Sequence, residues 1–196
     1  IHYVGSTDGI DPNRSKYFVA EIKTLKATVK DRKHPFIKGN TRVTPDKTYL
    51  REIDWSSEKK GSTYTRALTA IELDHLEEVY DVEKLEIGRV FYYKADPTFT
   101  KAIRKHIAYW QSVKMKAEKG SPMYLKAKLM LNTLWGRWAM FEKKVDSGGQ
   151  KVDVGQKNTN LVSGIYMTAY ARIILNKAMN YFGKDFVYCD TDSVHF

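Results

Sequence analysis

Two helix-start signals bracket a helix-stop signal in the middle of the chain, and they restrict its fold more than any other feature. Asp96-Pro97 places a capping carboxylate before a proline in the first turn. Gly120 is a typical stop, and Ser121-Pro122 is a second start. Residues 97–140 are therefore predicted to form two helices, the first ending near Lys119, joined by a tight turn and packed antiparallel.

Most of the positive charge lies in the same block. Residues 97–140 contain nine Lys and Arg against one Glu, a net of +8, whereas the whole chain of 196 residues carries +10. A solvated basic face is one explanation. Clustered cations also neutralise phosphates and release counterions, so a nucleic acid or nucleotide partner is favoured. A membrane partner is not expected, because no apolar run reaches the length of a membrane span.

The flanking regions predict a mixed, α+β fold. The first third is rich in β-branched and aromatic residues, which favour short strands. Thr69 and Glu72 have the spacing of a capping box, which opens a helix through Val79. A strand should follow in "LEIGRVFYYKA". After residue 140 we expect a polar loop or loose hairpin, a helix from about Ile165 to Tyr181, and a closing hairpin in "FVYCDTDSVHF".

Asp190 and Asp192 stand one residue apart within that closing hairpin. Asp and Ser favour turns, so "DTDS" is explained by a hairpin loop alone. Two carboxylates on one tight turn are also able to point at one divalent cation, because hard cations prefer oxygen ligands. The tripeptide by itself leaves both interpretations open.

A second group of residues lies on one face of the second basic helix. Lys128, Asn132, Trp135 and Gly136 are spaced at i, i+4, i+7 and i+8. One interpretation is a partly buried helix edge on which the tryptophan packs. The other is a nucleotide platform, in which a cation meets a triphosphate, an aromatic ring meets a base or sugar, and glycine leaves room for a base pair.

These segments resemble the motifs of one enzyme family, in that family's order. "KLMLNTLWG" resembles the K-x-x-x-N-S-x-Y-G motif of family B DNA polymerases, and "YCDTDS" resembles their Y-x-D-T-D-S motif. Between them, "GIYMTAYAR" is similar to the palm helix of the family. "IGRVFYYKADPTFTKAIRKHIAYWQSVK" resembles the insertion and first fingers helix of the protein-primed, phage-type members.

The resemblance implies a partial polymerase palm with a two-helix fingers hairpin and a β-rich insertion. Residues 1–16 would be a palm-proximal segment and residues 17–96 an insertion similar to the terminal-protein region. Residues 97–140 would be the fingers hairpin and residues 141–164 a short loop or hairpin. Residues 165–196 would supply the palm helix and the metal-binding hairpin.

The resemblance also implies a DNA-directed DNA polymerase that transfers nucleotides from dNTPs to a primer 3′-hydroxyl with two Mg²⁺ or Mn²⁺ ions. Its partners would be template-primer DNA, dNTP and a terminal (priming) protein, in the cytoplasm of a bacterial host. Asp192 would be the direct metal ligand, with Asp190 as nearby charge or a secondary ligand. Lys128 would contact the incoming triphosphate, and either Lys114 or Lys116 would be a second phosphate-facing lysine.

The remaining members of the helix face take their roles from the same resemblance. Asn132 and the aromatic side chain at 135 would line the nascent base pair, and Gly136 would leave room for it. Thr133 replaces the family's serine. Trp135 replaces a tyrosine that packs under the incoming sugar, so this pocket is expected to differ in shape.

One catalytic segment of the family is not found in the sequence. The D-x-x-S-L-Y-P segment carries a further metal-binding aspartate, and the 196 residues contain no such stretch. The chain is therefore expected to be an internal part of a polymerase and inactive by itself. Two alternatives are a non-catalytic DNA- or protein-binding module derived from a polymerase, and a D-x-D glycosyltransferase, which would need a nucleotide-binding α/β half upstream.

Overall fold

The structure, a computed structural model, describes residues 2–38, 49–55, 66–138, 141–145, 151–155, 160–190 and 193–196. The backbone is described there, while the side chains of a few of these residues, including Trp135 and Asp190, are not. The chain divides into two compact units, one of residues 1–2 and 94–167 and the other of residues 3–93 and 168–196.

An antiparallel sheet dominates the second unit. Its strands are β1 (His2–Asp8), β2 (Tyr17–Val29), β3 (Glu52–Asp54), β4 (Ala67–Thr69) and β5 (Tyr80–Lys94). Their order is β1-β5-β2-β3, and β4 also pairs with β2. The long β2–β5 ladder contains three register irregularities, which increase local twist. Strand β1 thus belongs to the same sheet as the strands of residues 17–96.

Helix α1 (Ala70–Val79) lies between β4 and β5 in the chain and begins at the predicted capping box. The Thr69 N–H and hydroxyl both donate to Oε2 of Glu72, at 3.0 and 2.8 Å. The helix ends where Tyr80 adopts an extended backbone. The helix bounds predicted from the capping box are confirmed.

The core of this unit lies between α1, the sheet and the segment at residues 36–37. Its apolar side chains alternate along β2 and β5, as expected for strands with one buried face. Its largest fully buried apolar members are Leu25, Phe36, Ile53, Leu76, Val79, Tyr80, Val90 and Tyr92.

The other unit contains the predicted pair of helices, α2 (Pro97–Lys116) and α3 (Pro122–Trp138). Asp96 accepts hydrogen bonds from the Thr98 and Phe99 amides at 2.8 and 3.2 Å, which confirms its capping role. Helix α2 ends at Lys116 rather than near Lys119, because Ala117 is already extended (φ −80°, ψ 142°).

The turn between the two helices is short. Gly120 has a φ of +90°, a conformation in which other residues are strained. Ser121 then caps α3 through a 3.2 Å hydrogen bond from the Tyr124 amide to its Oγ. Gly120 therefore lies in the turn, beyond the C-cap Ala117, and does not itself end α2, whereas the predicted start at Ser121-Pro122 is confirmed.

The remaining elements follow in the predicted order. Strands β6 (Phe141–Val145) and β7 (Lys151–Gly155) form an antiparallel hairpin. Helix α4 (Leu161–Phe182) and a 3-10 turn at Gly183–Asp185 lead to β8 (Tyr188–Asp190) and β9 (Ser193–His195). The α+β fold class is confirmed.

Helix α4 begins earlier than expected. The sequence indicated a start near Ile165, whereas the helix starts at Leu161. The cause is Asn160, whose Oδ1 accepts the Ser163 amide at 3.1 Å. Within the described residues, we find no helix with the length and apolar character needed to cross a membrane.

Candidate functional site

The predicted site residues fall into two groups, one in each unit. Lys114, Lys116, Lys128, Asn132 and Gly136 belong to the helical hairpin, as does Trp135. Asp190 belongs to the unit that contains the sheet, while Asp192 lies outside the described residues.

Helices α2 and α3 pack antiparallel through contacts between cations and aromatic rings. The Lys114 ammonium lies 5.8 Å from the ring centre of Tyr124, close to the turn. Farther from the turn, the Lys126 ammonium lies 5.9 Å from the ring centre of Trp110. Each such contact stabilises the hairpin by ~0.5–1 kcal/mol at an exposed position. The predicted antiparallel arrangement is confirmed.

Three of the predicted nucleotide-binding residues lie along one exposed face of α3. Lys128 and Asn132 are exposed and one turn apart. Gly136 follows one turn later, and a side-chain carbon added there would meet no atom within 4 Å. In the described part of the chain no carboxylate pairs with Lys128. Among the described residues, this face therefore offers an exposed cation, an exposed amide and an open space.

The two candidate lysines of α2 differ in their surroundings. Lys116 is exposed at the end of the helix. Lys114 is half-buried and lines a depression of about 500 Å³ together with Gln111, Met115, Tyr124 and Leu131. Lys114 is therefore the one whose ammonium is held in place by neighbours, and its position in a concave surface suits an anionic group.

The acidic hairpin lies at the end of α4. Asp190 on β8 is directly opposite Ser193 on β9, and Tyr188 is opposite His195. The Val187 amide extends the ladder by donating to the His195 carbonyl at 3.0 Å. The rings of Phe182 and Phe196 stack 3.9 Å apart, which joins the end of the hairpin to the end of α4.

A metal site is not complete within the described residues. No group of three or more His, Cys, Asp or Glu side chains that could hold an ion occurs there. Carboxylate oxygens are the ligands that Mg²⁺ and Mn²⁺ prefer, so Asp190 and Asp192 are candidate ligands by their chemistry.

Sequence reasoning missed a buried polar face on α4. Arg172, Asn176 and Asn180 recur every four residues along one side of the helix, and this spacing was a usable signal. Asn176 is 2% exposed. Its Oδ1 lies 2.8 Å from Nε2 of the buried His75, and its Nδ2 donates to the carbonyl of His34 at 2.8 Å. These contacts join α4 to α1 and to the segment around residue 34.

The same interface contains one carboxylate with a shifted pKa. Burial pushes the pKa of Glu78 up, but hydrogen bonds from His75 and Lys177 outweigh this and hold the pKa below its usual value. The Oε2 of Glu78 is 2.8 Å from Nδ1 of His75. Each ring nitrogen of His75 therefore faces an oxygen.

Comparison with known proteins identifies relatives along most of the chain. A family model described as DNA polymerase type B, organellar and viral, matches residues 10–192. The DNA polymerase of Bacillus phage Nf is 30% identical over 179 residues, which cover 86% of this chain and 28% of that protein. The DNA polymerase of Bacillus phage phi29 is 29% identical over 156 residues, covering 69% of this chain and 26% of that one.

Solved structures resemble the whole chain. Phi29 DNA polymerase complexed with primer-template DNA and incoming nucleotide substrates superposes with a TM-score of 0.71 at 21% identity, covering 98% of this chain and 34% of that one. Its binary complex with primer-template DNA gives 0.70 at 22% identity. At such identity the likeness establishes the fold. The chain spans about 28% of the length of the curated phage relative that it matches over 179 residues.

Proposed function

Because the chain belongs to the organellar and viral type B DNA polymerases, we propose that it forms the nucleotide-binding helices and one acidic wall of a template-directed nucleotidyl-transfer site. In this reaction the primer 3′-hydroxyl attacks the α-phosphate of a dNTP, a new phosphodiester forms, and pyrophosphate leaves. The glycosyltransferase alternative is set aside by the family match.

The observation that carries the proposal is the exposed face of α3. Lys128, Asn132 and Gly136 succeed one another at one-turn intervals, in a block of residues with a net charge of +8. The Lys128 ammonium is available for the triphosphate, the Asn132 amide for the nascent base pair, and the open space at Gly136 for the bases themselves. Lys114 would supply a second positive charge for the phosphates.

The acidic hairpin supports the same proposal. Asp192 would be the direct ligand of divalent ions and Asp190 would add negative charge beside it, so both carboxylates would hold the metal against the primer terminus and the triphosphate. When bound, two Mg²⁺ or Mn²⁺ ions supply charge stabilisation for an in-line displacement. The chain's own contribution would be to hold these carboxylates at the hairpin that follows α4.

Substitution of Asp192 tests the assignment directly. In a complete polymerase that contains this chain, Asp192→Asn keeps the shape and removes the charge, so primer extension should fall by about 10³-fold or more while folding is retained. Asp185→Asn is the matched control, because Asp185 is an exposed aspartate in the turn that precedes the same hairpin. Near-normal extension by Asp192→Asn would refute the metal-ligand role.

The isolated chain is proposed to bind DNA without extending it. Its sequence lacks the D-x-x-S-L-Y-P segment that supplies a further carboxylate in the family. A gel-shift assay with and without Mg²⁺ and dNTP measures this binding, which should weaken steeply with salt. Primer extension by the isolated chain would contradict the proposal. If the isolated chain binds DNA, but Asp190 and Asp192 can be substituted in a complete polymerase without loss of primer extension, a non-catalytic binding module is favoured.

Protein priming is the most specific part of the proposal. The match to the organellar and viral type B family extends over residues 10–192, which include the β-rich region before α2, and DNA polymerases of Bacillus phages are among the relatives. A terminal protein would then present a side-chain hydroxyl in place of the primer 3′-hydroxyl. Covalent labelling of a candidate priming protein by labelled dNTP, without any DNA primer, would support this; labelling that occurs only on DNA primers would exclude it.

A further inference from the structure

The buried polar face of α4 holds one residue of the N-terminal region by its backbone. Asn180 Oδ1 accepts the His34 amide at 2.7 Å, and Asn176 Nδ2 donates to the His34 carbonyl at 2.8 Å. The two asparagines are also joined to each other, since Asn180 Nδ2 donates to Asn176 Oδ1 at 2.9 Å. Both polar backbone groups of one residue are thus bound by two side chains from one helix.

The orientation of Asn176 is fixed by its neighbours. Its Nδ2 faces two carbonyl oxygens, those of His34 and Pro35, so this atom has to be the nitrogen donor. Its Oδ1 then accepts from Asn180 and faces Nε2 of His75. Among the described residues no buried side-chain nitrogen or oxygen lacks a partner. A fully satisfied network of this kind holds its members in one arrangement.

The side chain of His34 reaches the start of the acidic hairpin. Its Nε2 lies 3.3 Å from the carbonyl oxygen of Gly183, in the 3-10 turn after α4. Its ring contacts the ring of Phe186 edge to face, with centres 4.8 Å apart. Strand β8 begins two residues after Phe186. The residue that the two asparagines hold therefore also supports the turn from which the hairpin departs.

The hairpin has little internal structure to define its position. Strands β8 and β9 are three residues each, and a short two-stranded hairpin is marginally stable in water. Its placement must come from the elements that it contacts, namely the end of α4 and the turn at residues 183–186. Catalytic carboxylates need placement within a fraction of an ångström.

We propose that Asn176 and Asn180 are positioning residues for the aspartate hairpin, acting through the backbone of His34 and its contacts with Gly183 and Phe186. This inference rests on the proposed function, because it takes Asp190 and Asp192 as the metal-binding carboxylates. The β-rich N-terminal region, in this view, sets the geometry of the acidic wall in addition to any role in binding a partner.

The test uses Asn176→Leu and Asn180→Ala in a complete polymerase that contains this chain. Three measurements are made. They are the hydrogen exchange of the amides at residues 187–190 and 193–195, the Mn²⁺ concentration that half-saturates the polymerase, and the kcat and KM for dNTP in primer extension. Lys177→Ala is the matched control, because Lys177 lies between the two asparagines on α4 and, in the part of the chain that the structure describes, its ion pair is an exposed one with Glu78 at 3.4 Å.

We expect hairpin exchange to accelerate about tenfold or more in both asparagine variants and half-saturating Mn²⁺ to rise. The kcat should fall by about 10–100-fold, because small misplacements of catalytic groups cost that much. At saturating Mn²⁺ the KM for dNTP should change by less than about threefold, because the side chains proposed to bind the triphosphate directly are on α2 and α3. Lys177→Ala should leave all three quantities near wild type.

Folded variants with unchanged hairpin exchange and unchanged Mn²⁺ saturation would overturn the inference and leave the asparagines a purely structural role. If Asn176→Leu does not fold, Asn180→Ala decides, because Asn180 is only half-buried. The exchange measurement is independent of catalysis. If Asp192→Asn proves active, the proposed function fails, while accelerated exchange in the asparagine variants would still show that they position the hairpin.

Discussion

Arg172 on α4 and Glu72 on α1 form an ion pair in which the guanidinium Nη1 is 2.7 Å from Oε1 of the carboxylate. Glu72 is 5% exposed, and its other oxygen accepts the two hydrogen bonds from Thr69 that close the first turn of α1. One buried carboxylate therefore completes the capping box of α1 and also binds α4. These polar contacts join α1 to α4 in addition to any apolar packing.

Removal of the arginine should destabilise the chain strongly. Arg172→Leu leaves Glu72 buried without its cation, and breaking a buried pair in this way costs about 3–5 kcal/mol; the partial exposure of Arg172 lowers the expected loss to about 2–3 kcal/mol. Urea unfolding measures the loss. Lys177→Ala, which breaks an exposed pair, should change the free energy of unfolding by less than about 0.5 kcal/mol. Equal losses in the two variants would show that the burial of Glu72 does not matter.

Stability should decline at alkaline pH because of Tyr80. Burial raises the pKa of Tyr80 to about 12, although a hydrogen bond from the Ile37 amide opposes the shift. The unfolded chain loses this proton near pH 10 and the folded chain only near pH 12, so the tyrosine's contribution is complete below pH 10 and lost between pH 10 and 12. The loss is about 2–3 kcal/mol at ~1.4 kcal/mol per pH unit.

The comparison with Tyr80→Phe isolates this effect from other alkaline titrations. The variant loses the 2.8 Å hydrogen bond to the Leu50 carbonyl and should be less stable at pH 8. Between pH 10 and 12 its unfolding free energy should fall less steeply than that of the wild type. Parallel curves in thermal or urea unfolding across this range would contradict the assignment.

Lys128 should act on the nucleotide rather than on DNA. In a complete polymerase, Lys128→Ala is expected to raise KM for dNTP about tenfold or more, because a charge-assisted hydrogen bond contributes about 1.5–3 kcal/mol. Affinity for template-primer should change little. Lys126→Ala removes the same charge from α3, but Lys126 points at Trp110, so its KM should stay near wild type. A larger loss of DNA affinity than of nucleotide affinity would move Lys128 to the template-primer.

The variant Trp135→Ala tests whether the indole contacts the incoming sugar or only packs within the helical hairpin. If its indole lies under the incoming sugar, Trp135→Ala should change the ratio of kcat/KM for deoxy- over ribonucleotides with little loss of stability. If it only packs, the variant should lose about 3–5 kcal/mol and keep the ratio. Trp110→Ala, which removes an aromatic ring between α2 and α3, should lose stability without changing the ratio. Incorporation kinetics and the melting temperature together decide between these roles.

The local signals of the sequence predicted the starts of α1, α2 and α3. Thr69 with Glu72, Asp96 with Pro97, and Ser121 with Pro122 each act within a few residues, so their effect can be read from the neighbouring sequence. The end of α2 was predicted about three residues too late, because Gly120 lies in the turn beyond its C-cap. Asn160 is the exception: it caps α4 in the same local way, but it lies in a polar stretch that offered several candidates. The i, i+4 spacing of Lys128 and Asn132 likewise predicted that they share one face of α3.

The contacts that support the acidic hairpin were beyond such reasoning. His75 and Asn176 are 101 residues apart, and His34 and Asn176 are 142 residues apart. Nothing local to His34 indicates that its backbone is bound by a distant helix. Only the recurrence of Arg172, Asn176 and Asn180 along one side of a helix indicated a buried polar partner, and the sequence alone did not identify that partner.

The hydrogen bonds between α4 and the backbone of His34 have a consequence for how the protein folds during synthesis. The His34 amide and its acceptor on Asn180 are separated by 146 residues. At about 5–20 residues per second, a ribosome needs roughly 7–30 s after it has added His34 to reach Asn180. Throughout that interval the nascent sheet can form, but Glu72, His75 and the backbone of His34 lack their partners on α4. A stalled or truncated chain that lacks α4 would keep these polar groups exposed to solvent. We therefore expect a chaperone or a protease to act on this surface before synthesis is complete.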